Sequence, residues 1–133
     1  MLVKCFGTAC NSFNREVAEI GEALGRDFRT GPVVVNVVLT DDAGIRDLNR
    51  RFRRKDKPTD VLSFESNAPR LPGVPHLLGE VYISRERARV HAEEYFVTYR
   101  QELRRLVLHG LFHLLGLTHK QMEPLYGRYI PLP

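Results

Sequence analysis

The sequence predicts an α+β fold in which a small mixed sheet of about four strands packs against helices around one central buried helix. Short β-branched segments and amphipathic segments follow one another without strict alternation, which favours this class. Apolar side chains cover most of the circumference of the helix expected over 99–115, as is typical of a buried helix. The 133 residues, 43% hydrophobic and 27% charged, suit one domain over 1–133 and argue against disorder.

The first half of the chain combines two strands with two amphipathic helices. Residues 2–6 alternate loosely and predict a first strand. Residues 12–24 carry apolar side chains three and four apart, which is a helical period. The β-branched run 33–39 is typical of a buried strand. A second helix should begin near Asp41 and turn one apolar face inward, formed by Ile45, Leu48 and Phe52.

The second half is predicted to contain two further strands and two further helices. Residues 66–76 are rich in Pro and Gly and indicate an exposed loop. The Pro-rich tail, 123–133, is expected to pack as an irregular strap. The strands are expected at 61–64 and 78–83, and the helices at 85–97 and 99–115.

The cysteines and the apolar runs bear on the environment of the protein. Cys5 and Cys10 are the only cysteines, and their spacing fits neither a zinc knuckle nor a disulfide framework, so we expect small residues packed in or near the first strand. No apolar run approaches the ~20 residues needed to cross a bilayer. The N-terminus lacks the apolar core of a secretory signal, so we expect a cytoplasmic protein.

Positive charge is concentrated in one block of the chain. The net charge is +4, and within the block only Asp47 and Asp56 oppose seven cations. Such a density attracts a polyphosphate, although a solvated helix end is an equally open interpretation. The cations are Arg46, Arg50, Arg51, Arg53, Arg54, Lys55 and Lys57.

Three of the five histidines fall within eleven residues, in the segment HGLFHLLGLTH. His109 and His113 are four apart on the last helix and therefore project from the same face. Gly116 tolerates a positive φ, so it can end the helix and bring His119 to the same place. Burying three imidazoles costs free energy unless each is satisfied, and one metal ion satisfies all three. The alternative is ordinary histidines of a buried helix.

Three imidazoles leave one position of a tetrahedral ion open, as in catalytic rather than structural zinc sites. The spacing H-x3-H-x5-H matches the metzincin proteases except at Gly110, where they carry a glutamate general base. Imidazole sites also accept nickel, copper and iron, so the spacing alone leaves the ion open. His76 and His91 are expected on the surface, as is Glu102, whose alternative role is to accept an imidazole N–H.

Three segments of the chain together resemble one protein family. They are LNRRFRRKDKPTDVLSF at 48–64, LGEVYIS at 78–84 and the histidine segment at 109–119. In order and separation they resemble the YbeY-type endoribonucleases of ribosomal RNA maturation, over roughly residues 41–123. The histidine motif joined to KPTDVLSF makes the resemblance specific.

The resemblance implies an α+β fold, one bound zinc ion and a defined set of site residues. His109, His113 and His119 would be the zinc ligands, and Arg53 would be the catalytic arginine that contacts phosphate. The implied activity is zinc-dependent cleavage of single-stranded RNA, in maturation of the 3′ end of 16S ribosomal RNA and in ribosome quality control. The implied partners are ribosomal RNA and the small ribosomal subunit, in the cytoplasm, without membrane binding or specificity for DNA.

The chain departs from the family pattern at Leu117-Thr118, where Tyr-Asp is usual, so an aspartate that could support the site is replaced. Two other functions stay open: a metal-dependent hydrolase of another substrate such as a peptide, or a non-catalytic zinc-containing ribosome assembly factor. RNA binding would call for aromatic stacking. Apolar spacing places most of the candidate rings in the core; they are Phe52, Phe64, Tyr82, Tyr95 and Tyr99.

Overall fold

The computed structural model describes residues 1–7 and 10–130 and contains one four-stranded mixed sheet. Its strand order is β1-β2-β4-β3, in which β2 pairs in parallel with both β1 and β4, and β3 pairs antiparallel with β4. The expected small mixed sheet is therefore confirmed, and β3 forms one edge of it. The strands are β1 (Leu2–Phe6), β2 (Val33–Thr40), β3 (Val61–Glu65) and β4 (His76–Ser84).

Four helices of ten or more residues pack on this sheet, and side-chain caps begin three of them. The Asp41 carboxylate accepts from Gly44 N–H at the start of α2, and Ser84 caps α3. Thr98 and Gln101 form a reciprocal capping box on α4. These helices are α1 (Asn14–Asp27), α2 (Asp42–Arg53), α3 (Arg85–Glu94) and α4 (Tyr99–Leu114).

The segment after α4 is helical, so the expected irregular strap is wrong over residues 123–130, and 131–133 lie outside the described residues. Two single-turn helices, α5 (His119–Met122) and α6 (Tyr126–Tyr129), flank a 3-10 turn over Glu123–Leu125. The rings of Tyr126 and Tyr129 pack edge to face on Phe112, with centroids 5.4 and 6.1 Å apart. Tertiary contact with α4, rather than local propensity, stabilises these turns.

Helix α4 is the central buried helix that the apolar pattern predicts. It contacts β3, β4, α1, α3 and α6. Among the described residues, no helix combines the length and the apolar character that a membrane span requires. The residues of α4 that are buried are Glu102, Leu103, Leu106, Val107, Leu108, Gly110, Leu111, Phe112 and Leu114.

Helices α2 and α4 lie on opposite faces of β3. Successive side chains of a strand point to opposite faces. Ser63 faces α4, where its hydroxyl lies 3.4 Å from the Gly110 carbonyl oxygen, whereas the Phe64 ring contacts the ring of Phe52 in α2. The edge strand therefore separates the basic helix from the histidine helix.

One predicted core residue of α2 is exposed. The apolar pattern placed Phe52 inward, but 57% of its surface is accessible. Asn49 takes an inward position instead, 3% exposed, because its side-chain amide donates to the Lys57 carbonyl oxygen at 2.9 Å and is thereby satisfied. Polar pairing thus overrides the hydrophobic period at the end of this helix.

The two cysteines are joined by a disulfide bond, which corrects the expectation of two simply packed side chains. Both are buried, as expected, at 7% and 3% exposure. Gly7, at φ 106°, turns the chain after β1, and the Cα atoms of Cys5 and Cys10 come within 5.7 Å, which is ordinary disulfide reach. The spacing in sequence carried no signal of this turn.

Candidate active site

Three imidazole rings meet where α4 ends and α5 begins. His109 and His113 lie one turn apart on α4, and Gly116, at φ 81°, reverses the chain beyond the helix end. His119 is the first residue of α5. The ring centroids are 4.6 Å apart for His109 and His113, 5.4 Å for His109 and His119, and 5.2 Å for His113 and His119. The structure thus brings the three rings together.

The hydroxyl of Tyr126 fixes the orientation of His109. It lies 2.9 Å from Nδ1 of that ring, so Nε2 is left facing the other imidazoles. The Nε2 atoms of His109 and His113 are 3.1 Å apart. Two nitrogen ligands of a tetrahedral zinc ion are separated by about 3.3 Å. The pair therefore has the donor chemistry and nearly the spacing that a divalent cation needs.

The pKa values of His109 and His113 are lowered, which favours the neutral form that offers a lone pair. The pKa of His109 is lowered to about 4 by burial first, and then by the nearby rings of His113 and His119. The pKa of His113 is also lowered, by burial, by His119 and by the positive charge of Arg53. Burial raises the pKa of the Tyr126 hydroxyl, so the hydroxyl keeps its proton at neutral pH.

Side chains in the described part of the chain do not converge on one point as a formed metal site. No group of three His, Cys, Asp or Glu residues among them could hold a metal ion as they stand. The Nε2 atoms of His109 and His113 face each other, and the ring centroid of His119 lies within 5.4 Å of both ring centroids. Metal binding by His109, His113 and His119 therefore stays a prediction.

Thr118, where the chain departs from the family pattern, helps to begin the short helix that carries His119. The Thr118 hydroxyl accepts from Gln121 N–H at 3.2 Å, and the Gln121 side chain accepts from Thr118 N–H at 2.8 Å. This capping box begins α5 directly before His119. Threonine is a weaker N-cap than aspartate but is still a favoured one, and here it forms the capping box that begins α5 directly before the third ring.

Arg53 reaches the histidines from the other side of the sheet. Its guanidinium group donates to the Ser63 carbonyl oxygen at 2.8 Å, on the free edge of β3. It also lies over the Phe64 ring, 5.0 Å from the ring centroid. Because β3 is the edge strand, the side chain can pass from the α2 face to the cleft without crossing the sheet.

One open cleft of about 570 Å³ contains the predicted arginine and two of the predicted histidines. Its floor is the edge strand, and its walls come from α2 and α4. A group in this cleft would therefore meet a guanidinium group on one side and imidazoles on the other. The lining residues are Arg53, Val61, Leu62, Ser63, Phe64, Glu65, His109, His113 and Leu114.

Position 110 faces the sheet and not the cleft. Gly110 is buried where α4 packs on β4, and a Cβ built there would lie 2.8 Å from Cγ2 of Val81 and 3.2 Å from Oγ of Ser63. These separations are too short for a methyl group, let alone a carboxylate. The metzincin glutamate therefore has no equivalent place in this chain, and the missing general base reflects a different packing of the helix.

The remaining polar predictions near the site are partly wrong. Glu102 is 1% exposed rather than on the surface, and both its oxygens accept from Arg105, at 2.6 and 2.8 Å. It does not accept from His109, whose Nδ1 is held by Tyr126. His91 is only half-exposed and lies 3.5 Å from Glu102, and His76 is also half-buried, in β4. The i,i+3 spacing of Glu102 and Arg105 is a local signal for their pairing, whereas the burial of the carboxylate depends on tertiary packing.

The basic block is only partly neutralised. Arg46 pairs with Asp56 at 2.9 Å, and Arg50 and Arg51 pair with Asp47 at 2.6 and 3.5 Å. The uncompensated charge therefore lies at the C-terminal end of α2 and beyond it, beside the cleft. No ion pair among the described residues includes the remaining cations, Arg53, Arg54, Lys55 and Lys57.

The α+β fold and an open cleft lined by a guanidinium group and imidazoles suit a small hydrolase. The model of the family "Endoribonuclease YbeY" matches residues 8–125. An endoribonuclease YbeY of Persephonella marina is 41% identical over 107 residues, which are 80% of this chain and 70% of that protein. That of Roseiflexus sp. is 46% identical over 68% of this chain and 60% of its own length. The chain therefore belongs to the YbeY family, which confirms the resemblance and an enzyme class of hydrolases acting on RNA.

A solved structure agrees with the fold. The solution structure of a Thermotoga maritima protein matches with a TM-score of 0.64 and 29% identity, over 97% of this chain and 87% of that one. The endoribonuclease YbeY of Aquifex aeolicus is 44% identical over 67% of this chain. The chain spans 58% of the Aquifex protein and 60% of the Roseiflexus protein, which is less than two thirds of either.

Proposed function

We propose that this chain is a metal-dependent endoribonuclease that cleaves single-stranded RNA in the cleft between Arg53 and the three histidines. The observation that carries the proposal is the convergence of a guanidinium group and neutral imidazoles on one open cleft. Family membership supports RNA as the substrate, and the uncompensated cations beside the cleft suit a polyanion. Zinc is the proposed ion, held by His109, His113 and His119.

The residues of the chain divide the work between binding and orientation. Arg53 is placed to hold phosphate oxygens, because a guanidinium group can offer two N–H donors to one phosphate. The imidazoles would supply neutral nitrogen donors. Because the Tyr126 hydroxyl donates to Met122 Sδ, its oxygen can accept from the Nδ1–H of His109, which would leave Nε2 free to bind an ion. A bound divalent cation supplies Lewis-acid polarisation of a phosphoryl oxygen. Position 110 has no room for the glutamate that serves the metzincin proteases as general base.

The direct test is an assay of purified protein on unstructured RNA, with zinc and with chelator. We expect cleavage of single-stranded RNA that chelator stops, and no cleavage of a duplex or of DNA of the same sequence. Hydrolysis of a peptide without hydrolysis of RNA would favour a hydrolase of another substrate. Ribosome binding without cleavage of any RNA would favour a non-catalytic assembly factor. Either outcome would overturn the proposal.

The proposal extends to the cellular role that the resemblance implied. We assign the enzyme to maturation of the 3′ end of 16S ribosomal RNA and to ribosome quality control, in the cytoplasm and on the small subunit. Depletion of the protein should then lengthen the 3′ end of 16S RNA, as mapped by sequencing of RNA ends. If depleted cells had normal 3′ ends while the purified protein still cleaved RNA, the protein would be an endoribonuclease that does not mature the 3′ end of 16S RNA.

Replacing Arg53 with alanine should lower kcat/KM for RNA by about 100-fold, because a charged donor to the phosphate is removed. The fold should persist, since the arginine is exposed and at the surface of α2. Arg53→Lys should recover only part of the activity, because lysine keeps the charge but not the paired N–H geometry.

The matched control for Arg53 is Arg15→Ala. Arg15 is also exposed and pairs with Glu19 on α1, away from the cleft. Its loss should leave kcat/KM within twofold, since a distant surface charge contributes only a screened attraction. Equal losses in the two variants would show that Arg53 acts through general charge and not as a phosphate ligand.

Replacing Tyr126 with phenylalanine should weaken zinc binding by about 10- to 100-fold, because partners that orient a ligating imidazole contribute that much to affinity. The change removes only the hydroxyl that lies 2.9 Å from His109. Competition between protein and a chromogenic chelator measures the effect without RNA.

A second tyrosine of α6 provides the control for Tyr126. The Tyr129 hydroxyl donates to Asp27 at 2.7 Å, and its ring also packs on Phe112. Tyr129→Phe therefore removes an equivalent hydroxyl from the same helix without touching a histidine, and zinc affinity should not change. Similar affinities in both variants and the unaltered protein would exclude an orienting role for Tyr126.

A further inference from the structure

A row of three aromatic rings leads from the cleft to the surface of the basic helix. Phe64 lines the cleft, and its ring meets Tyr82 and Phe52 edge to face, with centroids 5.9 and 5.4 Å apart. Phe52, in the last turn of α2, is the outermost ring and is 57% exposed. The exposed part of this ring can receive a flat ligand, which would share the ring with the guanidinium group of Arg51.

The charges around this row of rings indicate which kind of ligand it would bind. The guanidinium carbon of Arg53 lies 5.0 Å from the centroid of Phe64, and that of Arg51 lies 5.4 Å from the centroid of Phe52. A second hollow of about 450 Å³ shares Arg53 with the cleft and adds Lys55 and Lys57 to its lining. The complementary ligand therefore carries repeated negative charge and aromatic rings, which is the chemistry of a nucleic acid strand.

We propose that Phe52 is a stacking platform for a base of single-stranded RNA whose phosphate is held at Arg53. The proposal rests on the function proposed above and adds a binding site to it. In a duplex the bases stack on one another and are not available to an aromatic side chain, whereas a base of a single strand can stack on such a ring. Phe52 would thus contribute to the choice of single-stranded over paired substrate.

The test compares Phe52→Leu, which keeps apolar bulk but removes the aromatic face, with Phe52→Tyr, which keeps the ring. Fluorescence anisotropy would measure binding of a short single-stranded 2′-O-methyl oligoribonucleotide in the presence of chelator. We expect Phe52→Leu to weaken binding by about 5- to 100-fold and Phe52→Tyr to bind like the unaltered protein. The dependence of affinity on salt should not change, because no phosphate contact is lost.

A series of oligonucleotides, each with one abasic position, identifies the stacked base. One abasic position should weaken binding to the unaltered protein and leave binding to Phe52→Leu unchanged. Phe96→Leu is the control, because Phe96 is 96% exposed on the turn between α3 and α4 and lies outside the row of rings formed by Tyr82, Phe64 and Phe52. Its affinity should equal that of the unaltered protein.

The outcomes separate this inference from the function on which it rests. Equal affinities of the unaltered protein and Phe52→Leu, with RNA cleavage intact, would overturn the stacking platform alone. Failure of the unaltered protein to bind or cleave any RNA would overturn both. Loss of binding in Phe52→Tyr as severe as in Phe52→Leu would show that local packing, not the aromatic face, is being disturbed.

Discussion

Replacing His113 with alanine should abolish stoichiometric zinc binding and lower RNA cleavage by at least about 100-fold. The ring is exposed, and its closest contacts are with the other two imidazoles. Removing one of three proposed ligands leaves two, too few for a mononuclear catalytic zinc site. Elemental analysis of protein never exposed to nickel resin would measure the metal content, and a fluorescent unstructured RNA would measure cleavage.

The effect of His113→Ala should not come from unfolding, since substitution of an exposed side chain usually changes the free energy of unfolding by less than about 0.5 kcal/mol. The thermal midpoint of the variant, measured with chelator present, should match that of the unaltered protein under the same conditions. His76→Ala is the control histidine, because it lies in β4 outside the cleft. A His113→Ala protein that keeps both its zinc and its cleavage rate would refute the ligand assignment.

Replacing Gly110 with alanine should destabilise the protein by up to about 2 kcal/mol, although alanine is the better helix former. Helix propensity alone would stabilise the variant by about 1 kcal/mol. The new methyl group, however, would press on Val81 and Ser63 in the closely packed contact between α4 and the sheet. Overpacking of this kind costs about 1–3 kcal/mol or more, and here it should exceed the gain. Thermal or urea unfolding measures the difference.

Gly127 provides the comparison for Gly110. It also lies in a helix, α6, but nothing is within 4 Å of a Cβ built there. Gly127→Ala should therefore leave the free energy of unfolding unchanged or raise it by up to about 1 kcal/mol. If Gly110→Ala were as stable as Gly127→Ala, the helix would be free to move from the sheet, and the packing account of position 110 would be wrong.

The regular elements could be predicted because their signals are local. The β-branched run before Thr40 and the dense apolar face of α4 each specify an element whatever the rest of the chain does. A helix start near Asp41 could likewise be predicted, and the Asp41 side chain is the cap of α2. Predicted boundaries lie within about three residues of the observed ones; the largest differences are that α1 ends at Asp27 and not at 24, and that α3 ends at Glu94 and not near 97.

The features that could not be predicted depend on contacts between distant residues. Tyr126 meets His109 across 17 positions, and no spacing rule links them. Phe52 follows the helical period but faces solvent, because Asn49 finds a backbone partner and turns inward. The role of Gly110 is visible only when β4 is beside it. The sequence indicated which histidines to consider, and tertiary packing determines what surrounds them.

The hydrogen bond from Arg53 to the carbonyl oxygen of Ser63 also bears on association between chains. A sheet edge with free amides and carbonyls invites another polypeptide to extend the ladder. Here the arginine side chain occupies that position on β3, so an incoming peptide strand would have to displace a guanidinium group to register with the edge. A polynucleotide forms no backbone hydrogen-bond ladder with a β-strand, and the guanidinium group of Arg53 attracts its phosphates as a counter-ion. One side chain can therefore both discourage self-association and favour a nucleic acid over a peptide in the cleft.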